Sequence, residues 1–290
     1  MYNASYFENE REGAGDAMST LTTTWTEETI DVGQAQIQLV RGGTGEPLLI
    51  LHDEMGHHDW LQYHEGLAQR HTLLIPSHPG FGKSERLDWV MNMRDYAGWY
   101  LDALDDLGLE QVSVIGFSFG GWLAAEIASM CPHRFKKLVL VGAAGIKPPT
   151  GEIYDMFLSV AKEYITATVL DPAGTPEFEQ VCPTEPTTER ADAWEVAREQ
   201  ACRLTWRPYM HYPALPQLLR RLRTLPTLVV WGKQDAIVPL SAGELYHQSI
   251  EGSRLAVLDD CGHRPEIEKP GEFVDLVEEF LDAGPSTSSG

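Results

Sequence analysis

Basic residues are scarce in this chain: 22 Lys and Arg stand against 43 Asp and Glu among 290 residues, a net charge of −21. A phosphate-binding surface needs clustered cations, so the shortage argues against nucleic acid as a partner. It argues equally against an anionic membrane surface, and it fits a well-solvated exterior. Cysteine is sparse as well. Cys131, Cys182, Cys202 and Cys261 form no CxxC pair, which disfavours zinc and thioredoxin-like readings. They read as reduced, mostly buried thiols of a cytosolic chain, with a Cys182–Cys202 bridge left open. No apolar run reaches the roughly 18 residues that span a bilayer. The segment Met1–Ala17 is polar and has no apolar signal-like core, so the expected location is the cytoplasm. Residues 1–24 and the Gly/Pro/Ser/Thr-rich 284–290 are expected to be loose ends.

What is present is the composition of an ordinary globular domain, with 43% apolar and 22% charged residues. Thr26–Asp31 and Ala35–Val40 alternate apolar and polar residues, predicting two antiparallel strands joined near Gly33. Leu48–Leu51, His71–Ile75, Val112–Ile115, Leu138–Val141, Thr227–Trp231 and Leu255–Leu258 are short apolar runs, the pattern of strands buried on both faces. Helical spacing appears in Arg94–Leu107, where Tyr96, Trp99, Tyr100, Leu104 and Leu107 share a face, and again in Gly120–Ser129 and Phe273–Leu281. Strands alternating with helices predict an α/β fold with a mostly parallel sheet covered on both faces. From residue 146 to 216 that rhythm stops. Helices are expected over Ile153–Thr168 and Ala191–Leu204, separated by the Pro/Thr/Glu-rich Asp171–Thr188. This reads as a helical insertion, with the core formed by 25–145 and 217–283.

One motif carries chemistry. Val112–Gly121 reads VSVIGFSFGG, an apolar strand entering Gly116-Phe117-Ser118-Phe119-Gly120 and then an Ala-rich helix. This is G-x-S-x-G in strand–turn–helix context. A sharp turn strains the serine backbone, and its neighbours two positions away must lack side chains that would clash. The helix then aims free N–H groups and its positive dipole end at the site, where they can stabilise an oxyanion. The structural alternative is an ordinary turn with an incidental serine.

With that motif the chain resembles the α/β-hydrolase fold family over about residues 26–281, as an eight-stranded sheet with a helical cap. Four further segments agree in order. Ile50–His52 resembles the segment that supplies an oxyanion donor, and Pro76–Ser84 (PSHPGFGKS) the glycine-rich loop after the fourth strand. Leu228–Pro239 (LVVWGKQDAIVP) resembles the acid-bearing segment and Asp260–Pro265 (DCGHRP) the base-bearing one. The resemblance implies Ser118 as nucleophile, His263 as general base and Asp235 as the acid orienting it. It also implies the backbone N–H groups of Phe119 and Glu54 as oxyanion donors. Asp235 has a rival reading as a helix N-cap before Ile237–Glu244. Asp259 and Asp260 are rival acids that better suit turn chemistry.

The chain departs from the family where His-Gly becomes His52-Asp53, followed by Glu54. Two carboxylates beside an oxyanion site would oppose negative charge if they pointed inward, so they are expected to point away or to pair with a cation. Ser77-His78 also replaces the acid usual before the glycine-rich loop, a change expected to affect loop anchoring. Pocket candidates are His52 from the core and Tyr154, Met156, Phe157, Trp206, Tyr209 and Met210 from the insertion, with packing of the cap as their alternative role. His211 reads as structural. Haloalkane dehalogenases and epoxide hydrolases use an aspartate nucleophile, which Ser118 speaks against.

The expected reaction is cleavage of a small carboxylic ester through an acyl-enzyme. Hydrolysis of a carbon–carbon bond in a diketone stands as the alternative, with Arg203 or Arg207 as a cationic clamp. A cofactor-free oxygenase and a non-catalytic binding module on the same fold are more remote. No cofactor or metal is implied, and a small molecule is the expected partner of a monomer or homodimer.

Overall fold

The computed structural model describes residues 23–57 and 59–283. The expectations for the loose ends therefore fall outside the described residues, except at Thr23 and Thr24. There the backbone N–H and hydroxyl of Thr23 donate to Glu65 Oε1 at 2.9 and 2.7 Å, tying the chain down ahead of the first strand.

Eight strands form one sheet: β1 (Trp25–Val32), β2 (Ala35–Gly42), β3 (Glu46–Leu51), β4 (His71–Pro76), β5 (Val112–Phe117), β6 (Phe135–Val141), β7 (Thr227–Gly232) and β8 (Arg254–Leu258). Their spatial order is β1-β2-β4-β3-β5-β6-β7-β8. β2 is antiparallel to both β1 and β4, and the remaining pairs are parallel. Side chains alternate faces along a strand, so consecutive buried residues require cover on both sides. β7 is buried at all six positions, and the last four residues of β3 and β5 are buried as well.

The helices are α1 (Gln62–Ala68), α2 (Met93–Asp106), α3 (Phe119–Met130), α4 (Ala161–Ala167), α5 (Phe178–Val181), α6 (Thr188–Thr205), α7 (Leu215–Leu218), α8 (Leu240–Ser249), α9 (Pro265–Glu268) and α10 (Pro270–Asp282). α2 starts where Asn92 accepts hydrogen bonds from the N–H groups of Arg94 and Asp95 at 2.9 and 3.1 Å, the usual N-cap arrangement. It buries the face carrying Tyr96, Trp99, Tyr100 and Leu104. α4 to α7 lie between β6 and β7 and contribute no strand to the sheet.

Two expectations fail here. The helix expected over Ile153–Thr168 begins only at Ala161. Upstream, the backbone N–H groups find partners other than helical carbonyls: Tyr154 donates to Ile237 O (2.8 Å), Met156 to Tyr209 Oη (3.0 Å) and Phe157 to Asp155 Oδ1 (3.0 Å). Tertiary and local side-chain acceptors thus displace the helix. The strand expected to be buried on both faces at Leu255–Leu258 is the other: β8 lies at the sheet edge and buries only Leu258. The four cysteines are free thiols, as expected, and the Cys182–Cys202 bridge left open is absent.

The junction of β5 with α3 is held by close backbone approach. A β-carbon on Gly120 would stand 2.2 Å from Leu51 O, and one on Gly116 would stand 2.4 Å from Gly120 O. Neither backbone can yield without moving β3 or α3. Gly120→Ala should therefore lower unfolding stability by about 1–3 kcal/mol, measured by urea denaturation. An unchanged midpoint would mean that the junction is slack.

Candidate active site

Ser118 occupies a conformation that L-residues rarely adopt, with φ 46° and ψ −110°. Such a backbone costs on the order of 1–3 kcal/mol and persists only where its surroundings over-determine it. Here they do. The Ser118 N–H donates to Val141 O at 2.9 Å, and its carbonyl accepts from Trp122 and Ala144 N–H at 3.1 Å each. Ser118 is 3% exposed, and its Oγ has no hydrogen-bond partner among the described residues.

Asp235 and His263 come from the loops after β7 and β8. Asp235 is no helix cap, because α8 starts later, at Leu240. Its Oδ1 instead accepts from the N–H groups of Ile237 and Val238 at 2.8 and 2.9 Å, which fixes the carboxylate. Oδ2 lies 2.8 Å from His263 Nδ1. An ionised carboxylate only accepts, so Nδ1 carries the hydrogen and Nε2 is left to take up a proton. Nε2 is buried and, like Ser118 Oγ, unpartnered among the described residues. The ring fits against Gly142 (φ 53°), where a β-carbon would stand 3.0 Å from Cε1 and Nδ1. The rival acids lie elsewhere: Asp259 pairs with Lys233 at 2.6 Å, and Asp260 sits at a positive-φ turn.

Burial pushes the His263 imidazole towards its neutral form. The Asp235 carboxylate and its hydrogen bond, helped by Glu54 and Glu266, more than reverse this and raise its pKa to about 9. The segment between β6 and β7 is also tied to this loop, because the His263 N–H donates to Thr168 O at 2.8 Å.

The two departing carboxylates diverge. Asp53 behaves as expected and pairs with Arg264, whose Nε also reaches Glu266 Oε1 at 3.2 Å, all three side chains being buried. Burial dominates both carboxyls and raises them, Asp53 to about 6 and Glu266 to about 7, despite the guanidinium. Glu54 corrects the expectation. It is 1% exposed and forms no salt bridge among the described residues. It points inward, with Oε2 3.4 Å from the Phe119 N–H and Oε1 accepting the Tyr164 hydroxyl. Phe119, expected as an oxyanion donor, thus faces a carboxylate.

The pocket candidates separate. Phe157 packs on Trp206 and Tyr209, with ring centroids 5.7 and 5.6 Å apart. Trp206 is 58% exposed, whereas Met156 and Met210 are buried. The Tyr209 hydroxyl accepts from Met156 N–H and donates to Tyr154 O, a cap-building role. His52 is an anchor. Its Nε2 accepts from the His78 N–H at 2.9 Å, and its ring lies 3.7 Å from that of His78. His78 bonds to Tyr100 in turn, so Ser77-His78 does anchor the glycine-rich loop. Arg203 is engaged with Leu87 O and Gln200. Arg207 lines a cavity of about 300 Å³ with Arg94, Trp122, Glu126 and His211. Neither arginine has a contact with Ser118 or His263. His211 bonds to Tyr209 O and bridges to Gly145, as a structural residue would.

Sequence reasoning missed Tyr164 and Arg264. Tyr164 lies 110 positions from Glu54 and is one of several cap aromatics, so only the packing of α4 identifies it. Arg264 carried a signal, as the only cation next to His263 in the DCGHRP segment. Among the described residues no group of three or more His, Cys, Asp or Glu is arranged to hold a metal ion. No helix among them is long and apolar enough to cross a membrane.

The model of the alpha/beta hydrolase family matches residues 39–276. An uncharacterized protein of Mycobacterium tuberculosis (strain ATCC 25618 / H37Rv) is 27% identical over 269 residues, 83% of this chain and 76% of that one. A 2-hydroxymuconate semialdehyde hydrolase of Pseudomonas sp. (strain CF600) is 30% identical over 261 residues, 82% of this chain and 88% of that one. Among solved structures, a 2-hydroxy-6-oxo-6-phenylhexa-2,4-dienoate hydrolase from Rhodococcus sp. strain RHA1 superposes with a TM-score of 0.72 at 24% identity. That match covers 90% of this chain and all of that one.

The balance at His263 is open to direct measurement. NMR titration of its imidazole should give a midpoint near 9 in the native protein. In Asp235→Asn the burial penalty loses its main opponent, and the midpoint should fall towards or below the ordinary value of 6.5. A midpoint that stays near 9 would assign the upward shift to other groups.

Proposed function

The chain belongs to the alpha/beta hydrolase family, and on that premise we propose that it is a serine hydrolase cleaving a small carboxylic ester. The observation that carries this reading is the 2.8 Å Asp235–His263 contact. It leaves His263 Nε2 buried and unpartnered, and the strained Ser118 has an Oγ that is equally unpartnered among the described residues. In the proposed reaction Ser118 Oγ attacks the carbonyl carbon as its proton passes to Nε2. Asp235 holds the tautomer and stabilises the imidazolium. His263 returns the proton to the leaving alkoxide, and the acyl group stays on Ser118. Water then attacks that ester with the same histidine as base, releasing the acid. The carbonyl oxygen turns to the backbone N–H groups of Phe119 and Glu54.

A second reading is favoured by the 30% identical relative, a 2-hydroxymuconate semialdehyde hydrolase. The same nucleophile and base would then cleave a carbon–carbon bond beside a ketone, and the leaving carbon would take the proton. Arg203 does not serve it as a clamp, being held by Leu87 O and Gln200.

A fluorophosphonate probe should label the native protein at Ser118 and leave Ser118→Ala unlabelled. The same substitution should lower kcat on the order of 10⁴–10⁶-fold. Absence of labelling in the native protein sinks the serine-hydrolase reading. Higher kcat/KM on short p-nitrophenyl esters than on a 2-hydroxy-6-oxo-dienoate supports ester cleavage, and the reverse ranking transfers the assignment to carbon–carbon hydrolysis.

A further inference from the structure

We propose that Glu54 is a catalytic residue, which in its protonated form donates a hydrogen bond and then its proton to the substrate carbonyl oxygen beside the Phe119 N–H. This rests on the serine-hydrolase reading of the site and deepens it. The geometry poses the problem directly. A buried carboxylate occupies the place where negative charge should develop, with Oε2 3.4 Å from Phe119 N and Oε1 fixed by the Tyr164 hydroxyl from α4. Ionised, it would repel that charge in a site too buried for water to screen it. Its neighbour Asp53 has Arg264 as counter-ion, whereas Glu54 has no salt bridge among the described residues.

The resolution lies in the other group of the site that carries a proton. Glu54 is one of the carboxylates that hold a proton on His263. One proton shared by the two has two placements. On the imidazole it leaves a carboxylate at the oxyanion position and no base for Ser118. On the carboxyl group it leaves Nε2 neutral and puts an O–H donor where the carbonyl oxygen arrives. Only the second placement is competent. The hydrogen bond from the Phe119 N–H to Oε2 is long at 3.4 Å, so an incoming oxygen that settles to one side, within reach of both atoms, can replace it while Tyr164 keeps Oε1 in place.

The step balances without any further reactant. The Ser118 Oγ–carbon bond forms as the Ser118 proton moves to His263 Nε2. The carbonyl π pair moves to oxygen and takes the Glu54 proton, giving a neutral tetrahedral intermediate. On collapse that proton returns to Glu54, the bond to the leaving group breaks, and His263 protonates the leaving group.

The surrounding charges come from every side of the pair. Asp235 follows β7, Arg264 and Glu266 lie in the base-bearing segment, Asp53 adjoins Glu54, and Tyr164 and Tyr209 reach in from the cap. Burial pushes the Tyr164 hydroxyl well above its ordinary range, so it stays a donor.

The rate of Ser118 phosphonylation by a fluorophosphonate, whose P=O oxygen takes the place of the carbonyl oxygen, tests this as a function of pH. Native protein should react fastest while the pair holds one proton. Its rate should fall by about tenfold per pH unit on the alkaline side, once the pair has lost that proton. In Glu54→Gln the amide donates at any pH, so the rate should rise to a plateau, and its ratio to native should grow about tenfold per unit in the alkaline range. Circular dichroism at each pH confirms that both proteins remain folded. Parallel alkaline profiles would overturn the role of Glu54 while leaving Ser118 as nucleophile. Absence of labelling at every pH would overturn both. Should Glu54→Gln fail to fold, Tyr164→Phe removes a donor that favours the ionised carboxyl, and the alkaline fall should move to higher pH; an unmoved limb overturns the proposal.

Discussion

The left-handed backbone of Ser118 is the constraint around which the molecule is arranged. A serine at φ 46° is held there by the carbonyl of Val141 and the amides of Trp122 and Ala144. Those bonds exist because β6 runs parallel beside β5 and ends level with it, Phe117 opposite Val141. On the other side β3 ends at Leu51 beside Gly116, and the Leu51 carbonyl excludes any side chain at position 120. Strand register, glycine placement and the path of the β6 loop all converge on one residue. A constraint of this kind positions an oxygen without using that oxygen in a hydrogen bond.

The same loop end shows how two neighbouring carboxylates of like chemistry acquire different environments. Asp53 enters a buried cluster with Arg264 and Glu266. Desolvation there works against every charge, and removing the single cation would leave two carboxyl groups uncompensated, a change that typically costs about 3–5 kcal/mol. Glu54, one residue on, meets a tyrosine and a helix N-terminus instead. One residue of chain separates a buried ion pair from a carboxyl group with no ion-pair partner among the described residues.

The sheet was legible because parallel strands buried on both faces appear as apolar runs, and the segments from β3 to β7 show that pattern, whereas β8 buries only Leu258. Ser118, Asp235 and His263 were legible because each follows a strand end and a glycine, at Gly116, Gly232 and Gly262. The start of the cap was misread because Tyr154 and Met156 satisfy their amides through Ile237 and Tyr209. Such distant partners leave no periodic trace in sequence. The direction of Glu54 was illegible for the same reason, since its partner Tyr164 becomes a neighbour only when α4 folds back over the core.

The cap is sewn to the reacting loops rather than resting on them. The carbonyl of Thr168 takes the His263 amide, the amide of Leu170 takes Glu268 beyond the base, and Tyr164 holds Glu54. Raising this segment as a rigid door would break these three ties and pull on the loops that carry His263 and Glu54. Movement of either loop is therefore resisted by the same few hydrogen bonds.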